Sequence, residues 1–188
     1  MCIRDRFDCE RTEVLESLIA LKRNRYQRSN TFDILSVGWA ADLLRELHNV
    51  RLPEFQGMLS AYWAGDKLIG AHFGMLTGDT LHYWFPVYDK AYQRYSPGTE
   101  LLLQSAEHAS ERGVTKLDLG YGDDDYKFKF CNAGDKVSCG VIDFNPVTQN
   151  LERARFVVRK QLKQLPMKPT AKRLLRKVFP GFGKWNFR

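Results

Sequence analysis

The fold of this chain is decided by residues 58–87, which read MLSAYWAGDKLIGAHFGMLTGDTLHYWFPV. The pairs Gly65-Asp66 and Gly78-Asp79 divide this stretch into three runs rich in apolar and aromatic residues: Met58–Ala64, Lys67–Leu76 and Leu81–Val87. Runs of this kind, joined by Gly-Asp pairs, are typical of β-strands connected by tight turns. The stretch therefore predicts three consecutive antiparallel strands.

The second predicted turn also sets the pairing of the strands on either side of it. If Gly78-Asp79 forms a two-residue loop, His82 pairs with Met75 and His72 pairs with Phe85. Because side chains alternate along a strand, we expect the two histidines on opposite faces of the sheet, where they cannot form a joint site.

Segments with helical periodicity lie on both sides of the predicted strands. Before them we predict helices over residues 10–26 and 36–48, the second with four apolar residues on one side: Trp39, Leu43, Leu44 and Leu47. After them we predict a helix, a strand, a short helix and a strand, in the order 97–112, 116–120, within 121–130, and 137–144. This order predicts an α+β fold, with a mixed, mostly antiparallel central sheet flanked by helices.

The composition is that of a globular protein of one domain. The chain has 188 residues, of which 44% are hydrophobic and 27% charged. No run approaches the roughly 20 apolar residues that cross a bilayer, and the first residues lack an apolar signal core, so we expect a cytoplasmic protein. The four cysteines form no C-x-x-C pair and have no histidine nearby, so we expect no metal site.

Positive charge is concentrated at the carboxyl end. Residues 151–188 hold 12 of the 29 Lys and Arg residues and one of the 22 acidic residues, which is not the pattern of a nucleic-acid-binding domain. We expect a basic helical tail over 147–188, beyond a domain over 7–146 that is truncated at its amino end. The last helix of the tail either packs on the domain or lies on an anionic membrane. Residues 1–6, MCIRDR, look like a translated sequencing adaptor rather than native protein.

A candidate anion site lies in residues 93–99, QRYSPGT. Ser96 is a favourable N-cap, Pro97 suits the first helical turn, and Gly98 would let a ligand approach the backbone. Three amides should then be free at the positive end of the helix dipole, those of Gly98, Thr99 and Glu100. Arg94 adds a full charge, so a pyrophosphate could bind there, although S-P-G also begins many ordinary helices.

The layout resembles the GNAT acetyltransferases, whose pyrophosphate loop precedes a helix and follows a pattern like R/Q-x-x-G-x-G/A. Arg94 and Gly98 match the ends of that pattern, whereas Pro97 and Thr99 depart from it. A closer resemblance, over roughly residues 11–144, is to CelD-like, FemAB-related acetyltransferases. It rests on the spacing of two phrases: His82-Tyr83-Trp84, Pro86, Tyr88-Asp89, Tyr92, Ser96-Pro97-Gly98, Leu101-Leu102, then Gly113, Asp118-Leu119-Gly120, Gly122, Tyr126-Lys127 and Phe130.

This resemblance implies the carboxy-terminal half of a GNAT-type enzyme that moves an acetyl or other acyl group from coenzyme A to a small-molecule or glycan-precursor acceptor. Leu81–Phe85 would polarise the thioester carbonyl and Lys116–Gly120 would be its splayed neighbour. The implied catalytic residues are Asp118 or His82 as base and Tyr126 as the acid that protonates the thiolate. The implied binding residues are Arg94, Ser96, Gly98 and Thr99 for the donor, with Trp84 and Lys127 for the substrate.

Each of these residues also has a structural interpretation. Asp118 could cap a turn, His82 and Tyr126 could be packing residues, and Lys127 could be a surface charge. Two further functions also stay open at this point. FemAB-like enzymes take aminoacyl groups from tRNA, and a GNAT-like half without a donor site would be a binding module.

Overall fold

The computed structural model describes the backbone of residues 3–122, 124–137, 144–150, 153–154 and 156–157, with side chains from Arg6 onward. The contacts divide the chain into two compact units, Met1–Gly134 and Asp135–Arg188. Each unit is described by itself.

The first unit is built on a six-stranded sheet. Its strands are β1 (Ile3–Arg6), β2 (Arg51–Leu52), β3 (Phe55–Ala64), β4 (Lys67–Thr77), β5 (Thr80–Tyr88) and β6 (Lys116–Asp118). They lie in the order β1-β3-β4-β5-β6, with β2 paired to β3. All pairs are antiparallel except β5 and β6, which run parallel.

Helices cover both faces of this sheet: α1 (Thr12–Arg28), α2 (Gly38–Asn49), α3 (Pro97–Glu111) and α4 (Asp125–Phe130). Short 3₁₀ turns precede α2 and α3, at Ile34–Ser36 and Lys90–Tyr95. The predicted α+β fold, with a mostly antiparallel central sheet flanked by helices, is confirmed.

The two faces of the sheet carry separate parts of the core. Leu15 of α1 and Leu44 of α2 are buried with Leu59 of β3. Leu101 of α3 is buried with Tyr62, three residues further along β3 and therefore on the opposite face. Each fully buried side chain of this size stabilises the fold by about 1.5–3 kcal/mol.

The predicted meander is present, and its register changes halfway along β4 and β5. Met75 pairs with His82, as predicted from the Gly78-Asp79 turn. The predicted pairing of His72 with Phe85 is wrong, because a bulge lies between them and His72 pairs with Pro86. The two histidines nevertheless lie on opposite faces, since His72 stacks on Tyr83, the residue that follows His82.

The apolar side of α2 is buried in part. Leu44 is buried and Leu47 is partly buried against the core, but Trp39 is 64% exposed and Leu43 is 39% exposed. The core-facing stripe of α2 is therefore narrower than its apolar side.

The described residues include only part of the two chain ends for which predictions were made. Residues 3–6 form β1, which pairs with β3, and their non-native origin remains a prediction. The strand predicted over 137–144 falls mainly outside the described residues. In the second unit, residues 146–150 are helical as predicted, and the basic segment 166–188 lies outside the described residues. None of the described helices combines the length and apolar character that a membrane span requires.

Candidate active site

Strand β5 has a neighbouring strand along only part of one edge. β6 pairs with β5 over residues 80–82, and Asp118 is the last paired residue. Beyond that point no strand among the described residues covers this edge of β5. The gap opens at the carboxyl end of β6, and the carboxyl ends of parallel strands are the usual place for ligands in α/β sheets.

A β-bulge lies where β5 loses this neighbour. Phe73 pairs with Phe85 and Met75 pairs with His82, so Tyr83 and Trp84 together face the single residue Gly74. A Cβ on Gly74 would lie 2.2 Å from the carbonyl oxygen of His82, so only glycine fits there. The bulge is thus built into the sequence at the strand segment that the resemblance assigns to the thioester.

His82 and Asp118 face each other across the β5–β6 pair. The Nδ1 atom of His82 lies 3.1 Å from Oδ2 of Asp118, and its Nε2 lies 3.0 Å from Oγ1 of Thr77. Burial alone would raise the pKa of Asp118, but hydrogen bonds from the Gly120 N–H and from His82 outweigh it and hold that pKa below its usual value. Asp118 is therefore a carboxylate, Nδ1 of His82 is the donor to it, and Nε2 is left to Thr77.

Tyr126 is the second residue of α4 and lies on the opposite face of the sheet from His82. It is half-buried against Tyr83, Leu102 and Leu119. Burial and the nearby Asp124 carboxylate raise the pKa of Tyr126, so its hydroxyl is protonated at neutral pH. A protonated hydroxyl beside the gap is the state that an acid for a departing thiolate needs.

The start of α3 differs from the predicted geometry. Ser96 is in the left-handed conformation, with φ 52° and ψ 43°, and its side chain makes no capping hydrogen bond. Ser96 is therefore the N-cap residue of α3, as predicted, but it does not cap the helix through its side chain. The amides of Thr99 and Glu100 both donate to the carbonyl oxygen of Ser96, at 2.9 and 3.2 Å, so the prediction that they are free is wrong. Among the described residues, the Gly98 N–H has no partner.

The left-handed conformation of Ser96 changes how the phosphate-loop pattern fits the chain. This conformation favours glycine, and Ser96 holds it two residues before Gly98. The pattern R/Q-x-x-G-x-G/A then aligns with Gln93, Ser96 and Gly98, one residue away from the alignment on Arg94. Arg94 itself lies against the neighbouring Tyr95, with its guanidinium 4.6 Å from the ring centroid.

A side chain at Gly98 would crowd the neighbouring strand β5. A Cβ there would approach the ring of Tyr88 to 3.1 Å, closer than most real contacts. Tyr88 ends β5, so this contact fixes the first turn of α3 against the strand that borders the gap.

The two predicted substrate-binding residues have different surroundings. Trp84 is in the bulge and is 45% exposed, so its indole can contact a ligand. Lys127 is buried, and its ammonium donates to the carbonyl oxygens of Gly120 and Tyr121 at 3.0 and 2.9 Å. The interpretation of Lys127 as a surface charge is therefore wrong, because it closes the loop that follows β6. Its contact with substrate remains a prediction.

Three residues of this region were not predicted from the sequence. Thr77 binds His82, Tyr83 borders Tyr126, and the buried Lys22 of α1 donates to the carbonyl oxygen of Pro86 at 2.8 Å. The sequence signal for Lys22 was its place on the apolar side of α1, one turn after Leu18. Within the part of the chain that the structure describes, no group of three His, Cys, Asp or Glu residues could hold a metal ion.

These features, a bulged strand with a partial parallel neighbour and a helix start beside it, agree with the fold that the resemblance to GNAT acetyltransferases implies. A family model described as an acetyltransferase (GNAT) domain matches residues 2–128, and the chain belongs to this family of enzymes. No curated protein matches the chain.

Several acetyltransferases of known structure have the same fold. A GCN5-related N-acetyltransferase from Ralstonia eutropha JMP134 is 11% identical, with a TM-score of 0.57 over 74% of this chain and 99% of that one. An aminoglycoside acetyltransferase from an uncultured soil metagenomic sample, in complex with sisomicin, is 15% identical, with a TM-score of 0.53 over 76% and 97%. A GNAT family acetyltransferase from Staphylococcus aureus is 12% identical, with a TM-score of 0.50 over 75% and 100%.

Proposed function

We propose that this protein transfers an acyl group, in the first place acetyl, from coenzyme A to an amine or hydroxyl of a small acceptor in the cytoplasm. The observation that carries the proposal is the combination of the β5 bulge with the end of the β5–β6 pairing. Together they leave strand backbone, Trp84 and the His82–Asp118 pair around one gap. Membership of the acetyltransferase family supports acetyl-CoA as the donor.

The donor's phosphates are proposed to lie at the start of α3. Within the described part of the chain the Gly98 N–H has no hydrogen-bond partner, and Ser96 and Thr99 belong to the same turn. A helix amino terminus favours negative charge through its unpaired amides and its dipole. Arg94, exposed on the preceding 3₁₀ turn, adds positive charge there.

The reaction is proposed to proceed by direct attack. The acceptor nitrogen or oxygen attacks the thioester carbonyl carbon, the C–S bond breaks, and the thiolate takes a proton from the Tyr126 hydroxyl. Asp118 holds Nδ1 of His82, so Nε2 of His82 is proposed to accept the acceptor's proton, directly or through a water, by exchanging its hydrogen bond with Thr77. Trp84 is proposed to line the acceptor's path. Lys127 is proposed to contribute by fixing the loop that carries Gly120.

The narrower assignment, to the CelD-like, FemAB-related enzymes with a glycan-precursor acceptor, is proposed on the sequence phrases alone. An aminoacyl-tRNA donor is the alternative within that group. The two donors differ in the group that the α3 start must hold, so a donor-binding assay separates them.

The test is a calorimetric titration of the full chain with acetyl-CoA and, separately, with aminoacyl-tRNA. Acetyl-CoA is expected to bind the wild type and to bind Gly98→Val at least about tenfold more weakly, since the new side chain displaces Tyr88 and covers the free amide. Gly38→Val is the matched control, because a Cβ at Gly38 meets no atom within 4 Å. Absence of acetyl-CoA binding to the wild type would reject the proposal.

A further inference from the structure

A second positively charged site lies between the end of α1 and the connection from β5 to α3. It is a cavity of about 250 Å³, large enough for a phosphate group, with six lining residues: Arg25, Arg28, Ser29, Tyr88, Lys90 and Gln93. No lining residue is acidic, and three are cations from two separate segments of the chain.

In the part of the chain that the structure describes, no carboxylate forms an ion pair with Arg25, Arg28 or Lys90. Two nearby acids pair with other cations, Asp33 with Arg23 at 3.0 Å and Asp89 with Lys67 at 3.6 Å. Cations in the last turn of a helix are ordinarily explained by the helix dipole. That explanation does not cover Lys90, which reaches the same cavity from the 3₁₀ turn.

The charge continues along the same side of α1 into the protein. Lys22 precedes Arg25 by three residues, is buried, and lacks a carboxylate among the described residues, donating only to the carbonyl of Pro86. Burial and the positive charge of Arg25 lower the pKa of Lys22 to about 7. Like charges that repel one another in this way cost folding free energy, which is a common mark of a site that binds an anion.

We propose that this cavity binds a phosphate group, held by the guanidinium groups of Arg25 and Arg28 and by the ammonium of Lys90. Arginine binds phosphate oxygens through paired N–H donors, and the Ser29 hydroxyl and Gln93 amide supply neutral donors. The proposal that a phosphate group binds in this cavity does not depend on the reaction. The proposal that this phosphate belongs to a substrate rests on the proposed function. The group belongs either to the nucleotide part of the donor or to a phosphorylated acceptor, since Tyr88 borders both the cavity and Gly98.

The test uses inorganic pyrophosphate as the probe, titrated by calorimetry at constant ionic strength into the full chain. Arg25→Gln/Arg28→Gln is expected to bind pyrophosphate at least about tenfold more weakly than the wild type. The control Arg6→Gln/Arg11→Gln removes the same charge from the exposed surface of β1 and the start of α1, and is expected to stay within about twofold. Lys90→Gln is a second, single variant in case the double variant does not fold. Equal pyrophosphate binding in all folded variants, or no binding by the wild type, would overturn the proposal.

Two further titrations identify the source of the phosphate. If it belongs to the donor, coenzyme A also binds the double variant about tenfold more weakly and excludes pyrophosphate from the wild type. If it belongs to the acceptor, coenzyme A affinity is unchanged and pyrophosphate still binds the protein saturated with coenzyme A. Pyrophosphate binding that depends on Arg25 and Arg28, in a wild type that does not bind coenzyme A, would reject the proposed function and leave this inference standing.

Discussion

At the scale of single residues, the pair formed by Asp118 and His82 is the most specific feature of the gap. Asp118 was singled out from the sequence because it ends a short strand, and His82 because it lies in the aromatic strand. Their contact depends on the parallel register of β5 and β6, which sets Asp118 beside His82. No local sequence pattern reports such a register, so the two residues could be predicted singly but not as a pair.

Replacing Asp118 by Asn is expected to lower turnover roughly 10²-fold or more while leaving the acetyl-CoA affinity unchanged. Asn keeps an oxygen for the Gly120 N–H but removes the negative charge that Asp118 places beside His82. Because the pKa of Asp118 lies below its ordinary value of 3.8, the carboxylate persists in mild acid, and the variant should differ from the wild type down to that range. The measurement is thiol release from acetyl-CoA across pH.

The control for this experiment is Asp42→Asn, an exposed carboxylate on α2 that binds only Arg45. It should leave turnover unchanged. Wild-type turnover in Asp118→Asn, with an unchanged pH profile, would show that Asp118 only caps the turn at Gly120.

Lys22 is expected to make stability depend on pH. Its pKa is lowered to about 7 in the folded protein, against 10.5 ordinarily, so between these values the unfolded chain binds more protons. Stability should therefore rise with pH above about 7, by at most ~1.4 kcal/mol per pH unit from this group. Below the folded pKa, both states are protonated and the penalty is constant.

Lys22→Met should remove most of that slope. The variant should also be more stable than the wild type near pH 7, and the lost hydrogen bond to Pro86 reduces this gain in the free energy of unfolding by about 1 kcal/mol. The measurement is urea unfolding at several pH values from 6 to 10. Lys116→Met, at an exposed lysine of β6, should keep the wild-type slope. The same slope in both variants would mean that Lys22 is charged in the folded state.

At the scale of elements, the β5 bulge decides which side chains face the gap. Gly78-Asp79 predicts the register correctly as far as His82, and the extra residue in β5 then shifts it by one. The bulge involves contacts between the two strands, such as the stacking of His72 on Tyr83 and the close approach of Gly74 to His82. The residues of the Gly78-Asp79 turn predict a hairpin but do not predict these contacts.

Gly74→Ala is expected to destabilise the protein by roughly 1–3 kcal/mol, because its Cβ would overlap the carbonyl oxygen of His82 and the ring of His72. The displaced strand should also weaken acetyl-CoA binding. Urea unfolding measures the first effect and calorimetry the second. Gly38→Ala, in open space at the start of α2, should be neutral or slightly stabilising. Unchanged stability in Gly74→Ala would mean that the bulge tolerates a side chain.

At the scale of the whole molecule, sequence periodicity predicted the order of helices and strands because it reflects local burial. What it could not predict are contacts between distant segments. Lys22 reaches Pro86, the last turn of α1 forms a cavity with the β5–α3 connection, and Tyr88 meets Gly98. All three surround the carboxyl half of β5. These contacts bring α1 and α3 to the candidate site, and none of them follows from the periodicity of a single segment.

Removing residues 166–188 is expected to leave the fold of the remaining chain intact, since the buried clusters found among the described residues lie within Met1–Gly134. The melting temperature should stay within about 2 °C of the full chain.

The removed segment carries seven Lys and Arg residues and no acidic residue. Each such residue near an anionic surface contributes about 1 kcal/mol of attraction. The full chain should therefore float with anionic vesicles at low salt and the shortened chain should not. Equal flotation of both chains would exclude the tail as a membrane contact, and a lost melting transition would make it part of the core.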